Sequence, residues 1–205
     1  MAHVFVTRTL PGPALERLRE RHDVEVWPGA LPPSHEQLVE HAATADGLIT
    51  LPGDKVDADL IRHSPKLKAI ANYAVGYDNI DLLSASELGI AVGNTPDVLT
   101  EATAELTFAL LLAAARHFPD AMAAARDGRW RTWEPERHLG LELSGARLGI
   151  VGLGRIGRAV ARRAAGFQMQ ILHTDSRSDQ AALHALLERS DFVSLHAALS
   201  PATRH

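Results

Sequence analysis

The chain reads as an α/β protein with two parallel-sheet domains, and three observations predict it. Short β-branched runs alternate with amphipathic helical stretches from the first residues to about Val92, the pattern of a parallel sheet covered by helices. A second strand–turn–helix series opens at Arg147 around a glycine-rich turn. The composition, 205 residues with 46% hydrophobic and 22% charged, is that of a globular protein rather than a disordered one.

His3 to Thr7 predicts a strand, and the turn Pro11-Gly12-Pro13 leads into a helix over Ala14 to Arg21. The alternation continues with strand Val24 to Trp27, helix Ser34 to Ala42, strand Gly47 to Thr50 and helix Asp57 to His63. Strand Leu67 to Asn72, helix Asp81 to Leu88 and strand Ile90 to Val92 complete a five-strand, flavodoxin-like layout. At Asn94-Thr95-Pro96-Asp97 the alternation stops, and a long helix begins near Thr100, whose hydroxyl suits an N-cap with Glu101 in the first turn. The boundary is therefore expected between a domain of residues 1–99 and one of residues 100–205. Leu106, Phe108, Leu110, Leu111 and Leu112 spread over nearly all sides of this helix, which predicts burial all round, between domains or at a subunit contact. The segment Gly128 to Leu143 has neither helical nor strand period, and its Trp130 and Trp133 predict an ordered arm that needs a partner surface.

Composition removes several function classes. Twenty-one basic against 25 acidic residues leave a net charge of −4, with no case for nucleic acid or an anionic membrane. Without cysteine there is no disulfide framework, thiol nucleophile or thiolate metal site, and no metal site is expected. The N-terminus lacks a signal-type apolar run, and the stretch Leu106 to Ala115, interrupted by Thr107, is about half the length that spans a bilayer. A soluble, cytoplasmic protein is expected.

Arg147 to Val151 predicts a short apolar strand, followed at once by Gly152-Leu153-Gly154-Arg155-Ile156-Gly157 and a helix to Phe167. This is a dinucleotide fingerprint in the context it requires. Gly152 permits the tight turn, Gly154 lets a pyrophosphate approach the backbone, and Gly157 lets helix and strand pack closely. The helix N-terminus adds N–H groups and partial positive charge. Ile156, Ala159, Val160, Ala164 and Phe167 share the face expected on the sheet, with Arg158 and Arg162 pointing away. A second strand, Gln170 to Thr174, ends at Asp175, roughly 20 residues past the glycines, where a carboxylate accepts from ribose hydroxyls and repels a 2′-phosphate. That favours NAD over NADP. Arg177 is either a solvated loop charge or a partner for a 2′-phosphate.

Beyond the glycine turn, the chain resembles the D-isomer-specific 2-hydroxyacid dehydrogenases along its whole length, and within them the glyoxylate/hydroxypyruvate reductase and glycerate dehydrogenase branch. The resemblance lies in Asn72-Tyr73-Ala74-Val75-Gly76-Tyr77-Asp78-Asn79-Ile80-Asp81, Asn94-Thr95-Pro96, Thr100 to Glu105, Val151 to Gly157, Ser194-Leu195-His196 and Leu199 to Thr203. It implies an oxidoreductase moving a hydride between NAD(H) and a small 2-keto or 2-hydroxy acid. It implies that backbone N–H groups at Val75 and Gly76 hold the substrate carboxylate; the other reading of Gly76-Tyr77-Asp78 is a plain turn after a strand. Thr103 matches a position near the nicotinamide, or else is a helix-start residue bonded to nearby backbone. Arg155 and Ile156 would meet the pyrophosphate through their N–H groups. Ala198 stands where the family usually has proline, and the stretch Ser176 to Ala182 is shorter than usual.

The resemblance also places the family's catalytic Arg, Glu and His beyond His205, so no catalytic residue is expected within these residues, and they read as part of a longer enzyme. His196, at the end of a third strand over Asp191 to His196, reads as structural or cofactor-lining. With three strands of a doubly wound sheet, the Arg147 to Val151 strand is expected to have one edge open. A homodimer through the nucleotide domain is expected, built on the long helix and the tryptophan arm. The alternative from another class is a catalytically silent NAD-sensing dimerisation module of the corepressor type.

Overall fold

The computed structural model describes residues 1–175, 177–199 and 203, and the chain divides into two compact units, residues 1–98 and 99–205. The expected readings of Ser176 and of Ser200 to Ala202 lie outside the described residues.

The first unit is a five-stranded parallel sheet in the order β2-β1-β3-β4-β5, the order a flavodoxin-like layout requires. Its strands are β1 (His3–Val6), β2 (Asp23–Val26), β3 (Gly47–Thr50), β4 (Ala69–Asn72) and β5 (Ala91–Gly93), joined by helices α1 (Ala14–Arg19), α2 (His35–Ala42), α3 (Ala58–Arg62) and α4 (Leu82–Glu87). Three helices start where a short polar side chain satisfies a free N–H of the first turn. Ser34 and Gln37 form a reciprocal capping box, Asp57 accepts from the Leu60 N–H at 3.1 Å, and Asp81 from the Ser84 N–H at 2.8 Å. Phe5, Leu48 and Ile70 of the sheet pack against Leu38, Leu60 and Ile61 of the helices, all essentially inaccessible to water. Burial of each such side chain contributes roughly 1.5–3 kcal/mol.

The second unit opens with α5 (Thr100–Ala115) and α6 (Phe118–Arg126), followed by a segment without regular structure. Then come β6 (Arg147–Val151), α7 (Arg155–Gly166), β7 (Gln170–Thr174), α8 (Gln180–Arg189) and β8 (Phe192–Leu195). Ala104 and Phe108 of α5 share a core with Leu148 and Ile150 of β6 and with Ala159, Val160 and Ala164 of α7. Arg163 reinforces the α5–α7 contact through Glu101 and Glu105, at 2.9 and 3.2 Å.

Two expectations are corrected, the N-cap of α5 and the open edge of β6. The N-cap of α5 is Leu99, without a side-chain bond, because Thr100 already has helical backbone. Within one chain only part of the helix is covered: Ala104, Phe108 and Ala115 face the core, whereas Leu106 and Leu110 are 59% and 62% exposed. A separate helix that the sequence reading did not name, α6, follows: His117 adopts a left-handed φ of 48° just past α5, and Pro119 favours a new start. Finally, β6 has no open edge, because α8 carries the chain across the sheet and β8 pairs on the far side of β6, giving the order β7-β6-β8.

Candidate functional site

The glycine turn stands at the carboxyl end of β6, where an open α/β sheet places its ligands. Gly152 has φ +97°, and a side chain there would lie 2.6 Å from the Ala197 nitrogen. A Cβ on Gly157 would fall 2.3 Å from the Gly152 carbonyl oxygen. Both glycines are thus required by close backbone approach. Around Gly154 the space is open, with no heavy atom within 4 Å of a would-be Cβ. Gly154 is also the N-cap of α7 and brings no capping side chain. The first bond from this cap runs from the Arg158 N–H to the Gly154 carbonyl at 3.0 Å, so the first-turn N–H groups before it lie outside the helix's own ladder. A concave turn, an uncapped helix start with no acidic residue in its first turn and free space at its mouth fit a pyrophosphate.

Asp175 joins this turn through the sheet: Val151 pairs with Thr174, and the Gly152 N–H donates to the Thr174 carbonyl at 2.9 Å. Arg177 holds Asp175 twice, its backbone N–H on Oδ1 at 2.9 Å and its guanidinium on Oδ2 at 3.2 Å. These bonds keep the carboxyl below the usual carboxylate range. His196, just past β8, lies 2.9 Å through Nε2 from the Ser194 Oγ, and burial pushes its imidazole below the ordinary value, favouring the neutral ring. Thr103 is half-buried in α5 beside the core residue Ala104, and its carbonyl accepts from the Thr107 hydroxyl at 2.8 Å.

In the first unit, Val75 and Gly76 sit in the loop after β4, half-buried and exposed respectively. Among the described residues, the N–H groups of Val75, Gly76 and Tyr77 have no acceptor. Sequence reasoning quoted Asn72, Asn79 and Asn94 within motifs but gave them no role. The structure places all three amides against this loop and the neighbouring 51–54 turn. The signal for Asn72 was available, as an amide ending an otherwise apolar strand is buried only when its bonds are satisfied.

A concavity of about 700 Å³ lies elsewhere in the second unit, lined by Leu112, Phe118, Trp130, Trp133 and Arg137 among others. It is not at the glycine turn. Trp130 and Trp133 remain 54% and 77% exposed.

Comparison with known proteins identifies the family. Residues 4–197 match the family model described as D-isomer specific 2-hydroxyacid dehydrogenase, catalytic domain. A glyoxylate reductase of Korarchaeum cryptofilum is 47% identical over 98% of this chain, which spans 64% of that protein's length. A crystal structure of a Thermus thermophilus protein superposes with a TM-score of 0.89 at 49% identity, covering 98% of this chain and 66% of that one. A putative NAD-binding D-isomer specific 2-hydroxyacid dehydrogenase from Polaromonas gives a TM-score of 0.84 at 37% identity, with 98% and 67% covered. The chain belongs to the D-isomer specific 2-hydroxyacid dehydrogenase family.

Proposed function

We propose that the full-length protein is an oxidoreductase that moves a hydride between NAD(H) and C2 of a small 2-keto or 2-hydroxy acid, with glyoxylate and hydroxypyruvate as the first candidates. The observation that carries this reading is the glycine turn: two glycines demanded by backbone contact and a third left with open space before an uncapped helix. The glyoxylate reductase relative supports the substrate class.

Gly152 and Gly154 shape the turn, and the N–H groups of Arg155, Ile156 and Gly157 take the pyrophosphate. Asp175 accepts from the ribose hydroxyls, and Thr103 borders the nicotinamide end. The bound nicotinamide supplies or accepts the hydride. Val75 and Gly76 hold the substrate carboxylate through their N–H groups. NAD is preferred to NADP because Asp175 stays ionised while Arg177 is engaged by it, so a 2′-phosphate meets a carboxylate and no unengaged guanidinium at that position. His196, neutral and bonded to Ser194, is not assigned the proton transfer. That role and the Arg that clamps the carboxylate belong to residues beyond 205, as the family resemblance implies.

The assembly proposed is a cytoplasmic homodimer in which a second copy covers the exposed leucines of α5 and the tryptophan arm. No helix among the described residues is long and apolar enough to cross a membrane.

The test is NADH and NADPH consumption by the full-length protein with glyoxylate and with hydroxypyruvate. Turnover that is faster with NADH is expected. Tight NADH binding without turnover of either acid overturns the enzyme reading in favour of a sensing module.

A further inference from the structure

Three consecutive carbonyls of the 74–76 loop are each drawn toward the protein by a donor. The Thr95 N–H donates to the Ala74 carbonyl at 2.8 Å, the Asn94 Nδ2 to the Val75 carbonyl at 2.8 Å, and the Asn72 Nδ2 to the Gly76 carbonyl at 2.9 Å. Every peptide in the described chain is trans. In a planar trans peptide the N–H points opposite to the carbonyl that precedes it. Pinning the carbonyls of Ala74, Val75 and Gly76 therefore turns the N–H groups of Val75, Gly76 and Tyr77 away from those donors, and all three lack an acceptor, as do the next two N–H groups, of Asp78 and Asn79.

The pins are themselves held. Asn72 is 1% exposed; its Oδ1 accepts from the Thr50 hydroxyl at 3.0 Å, and its Nδ2 donates a second bond to the Asn79 Oδ1 at 2.9 Å. Asn79 in turn donates to the carbonyls of Leu51 and Asp54, at 3.1 and 2.9 Å. The Asp54 carboxylate fastens that turn by accepting from the Leu51 N–H at 2.7 Å and from the buried Thr7 hydroxyl. A chain of hydrogen-bonded amides, buried at Asn72 and half-buried at Asn79, thus runs from the interior of the sheet to the loop. Such a network makes the loop rigid before any anion arrives.

We propose that Asn72 and Asn94 are positioning residues for anion binding: they orient the Val75–Gly76–Tyr77 N–H groups as a preformed cradle for the carboxylate of a 2-keto acid. This rests on the reading of that loop as the carboxylate site, and it adds two side chains and a third donor, the Tyr77 N–H. Without the pins the loop samples other orientations, so binding would have to order it first.

The experiment uses the full-length protein with NADH bound and oxamate, an unreactive 2-keto acid analogue, as probe. Amide resonances of Val75, Gly76 and Tyr77 are followed during titration of the wild type, and oxamate affinity, NADH affinity and melting temperature are measured for Asn94→Ala and Asn72→Ala. Shifts of the three amides are expected, with oxamate binding weakened about tenfold in Asn94→Ala and NADH affinity unchanged. Asn94 is half-buried and makes a single bond, so this variant keeps the test alive if Asn72→Ala does not fold. If the wild-type amides do not move, the carboxylate reading fails and the proposal with it. If they move but Asn94→Ala binds oxamate as the wild type does, the positioning role is overturned while the loop remains the site. A lower melting temperature with unchanged oxamate affinity has the same meaning.

Discussion

Arg147 closes a clamp on Asp191: its guanidinium reaches Oδ1 at 2.9 Å and Oδ2 at 3.1 Å, while its own backbone N–H donates to Oδ2 at 2.8 Å. The contact fastens the start of β8 to the start of β6, and it holds the Asp191 carboxyl down to about 2. A carboxyl with a depressed folded-state pKa stabilises the fold once pH exceeds its unfolded value, and that contribution disappears as pH falls through the folded value. The Arg147–Asp191 stabilisation is therefore complete above about pH 4 and lost toward pH 2. Asp191→Asn is expected to melt a few degrees below the wild type at pH 7, with the two curves converging as the pH approaches 2. Parallel acid limbs in thermal scans from pH 2 to 7 would contradict this.

The glycines of the 152–157 turn separate fold from the proposed cofactor binding. Gly154→Ala places a methyl in open space, so the melting temperature should not change while NADH binding weakens by about tenfold or more. Gly157→Ala drives its methyl against the Gly152 carbonyl, and a destabilisation of about 1–3 kcal/mol is expected before any effect on cofactor. Denaturant unfolding and cofactor titration on the same two variants check both outcomes.

At the cofactor-selecting end, Asp175→Ala removes the carboxylate and releases Arg177. The preference for NADH over NADPH is expected to fall on the order of tenfold, the scale of one partly screened charge pair. Arg177→Ala should move the ratio the other way. Steady-state comparison of both cofactors reads the sign directly, and an unchanged ratio in Asp175→Ala removes that residue from cofactor choice.

The exposed face of α5 carries Leu106 and Leu110 one turn apart, and Trp130 and Trp133 stay exposed in the arm. Charging the helix with Leu106→Glu and Leu110→Glu should convert a dimer to a monomer in sedimentation equilibrium at micromolar concentration. A wild type that is already monomeric there contradicts the proposed assembly.

The first unit was legible because its strands and helices obey one local rule each: β-branched runs make strands, and Ser34, Asp57 and Asp81 announce helices. The shape of the 152–157 turn was legible for a related reason, since Gly152 and Gly157 stand at backbone contacts that no other residue permits. The far-side pairing of β8 was not legible, because strand order depends on where a crossover helix lands and not on the strand's composition. Helix α6 was not read from the sequence because its start hinges on the left-handed backbone of His117, a conformation its residue type does not announce. Asn72 and Asn94 were visible as letters but not as pins, since their partners are carbonyls, which every residue possesses.

A recognition surface assembled from main chain is nearly blind to the identity of the residues that form it. In the proposed cradle a substitution at Val75 or Tyr77 changes what projects beside the N–H groups without altering the groups that would grip the ligand, so such a loop would sense negative charge and leave the rest of the molecule unread. Discrimination among acids that share a carboxylate and a C2 carbonyl would then come from whatever surrounds the substituent on C2, a hydrogen in glyoxylate and a hydroxymethyl group in hydroxypyruvate.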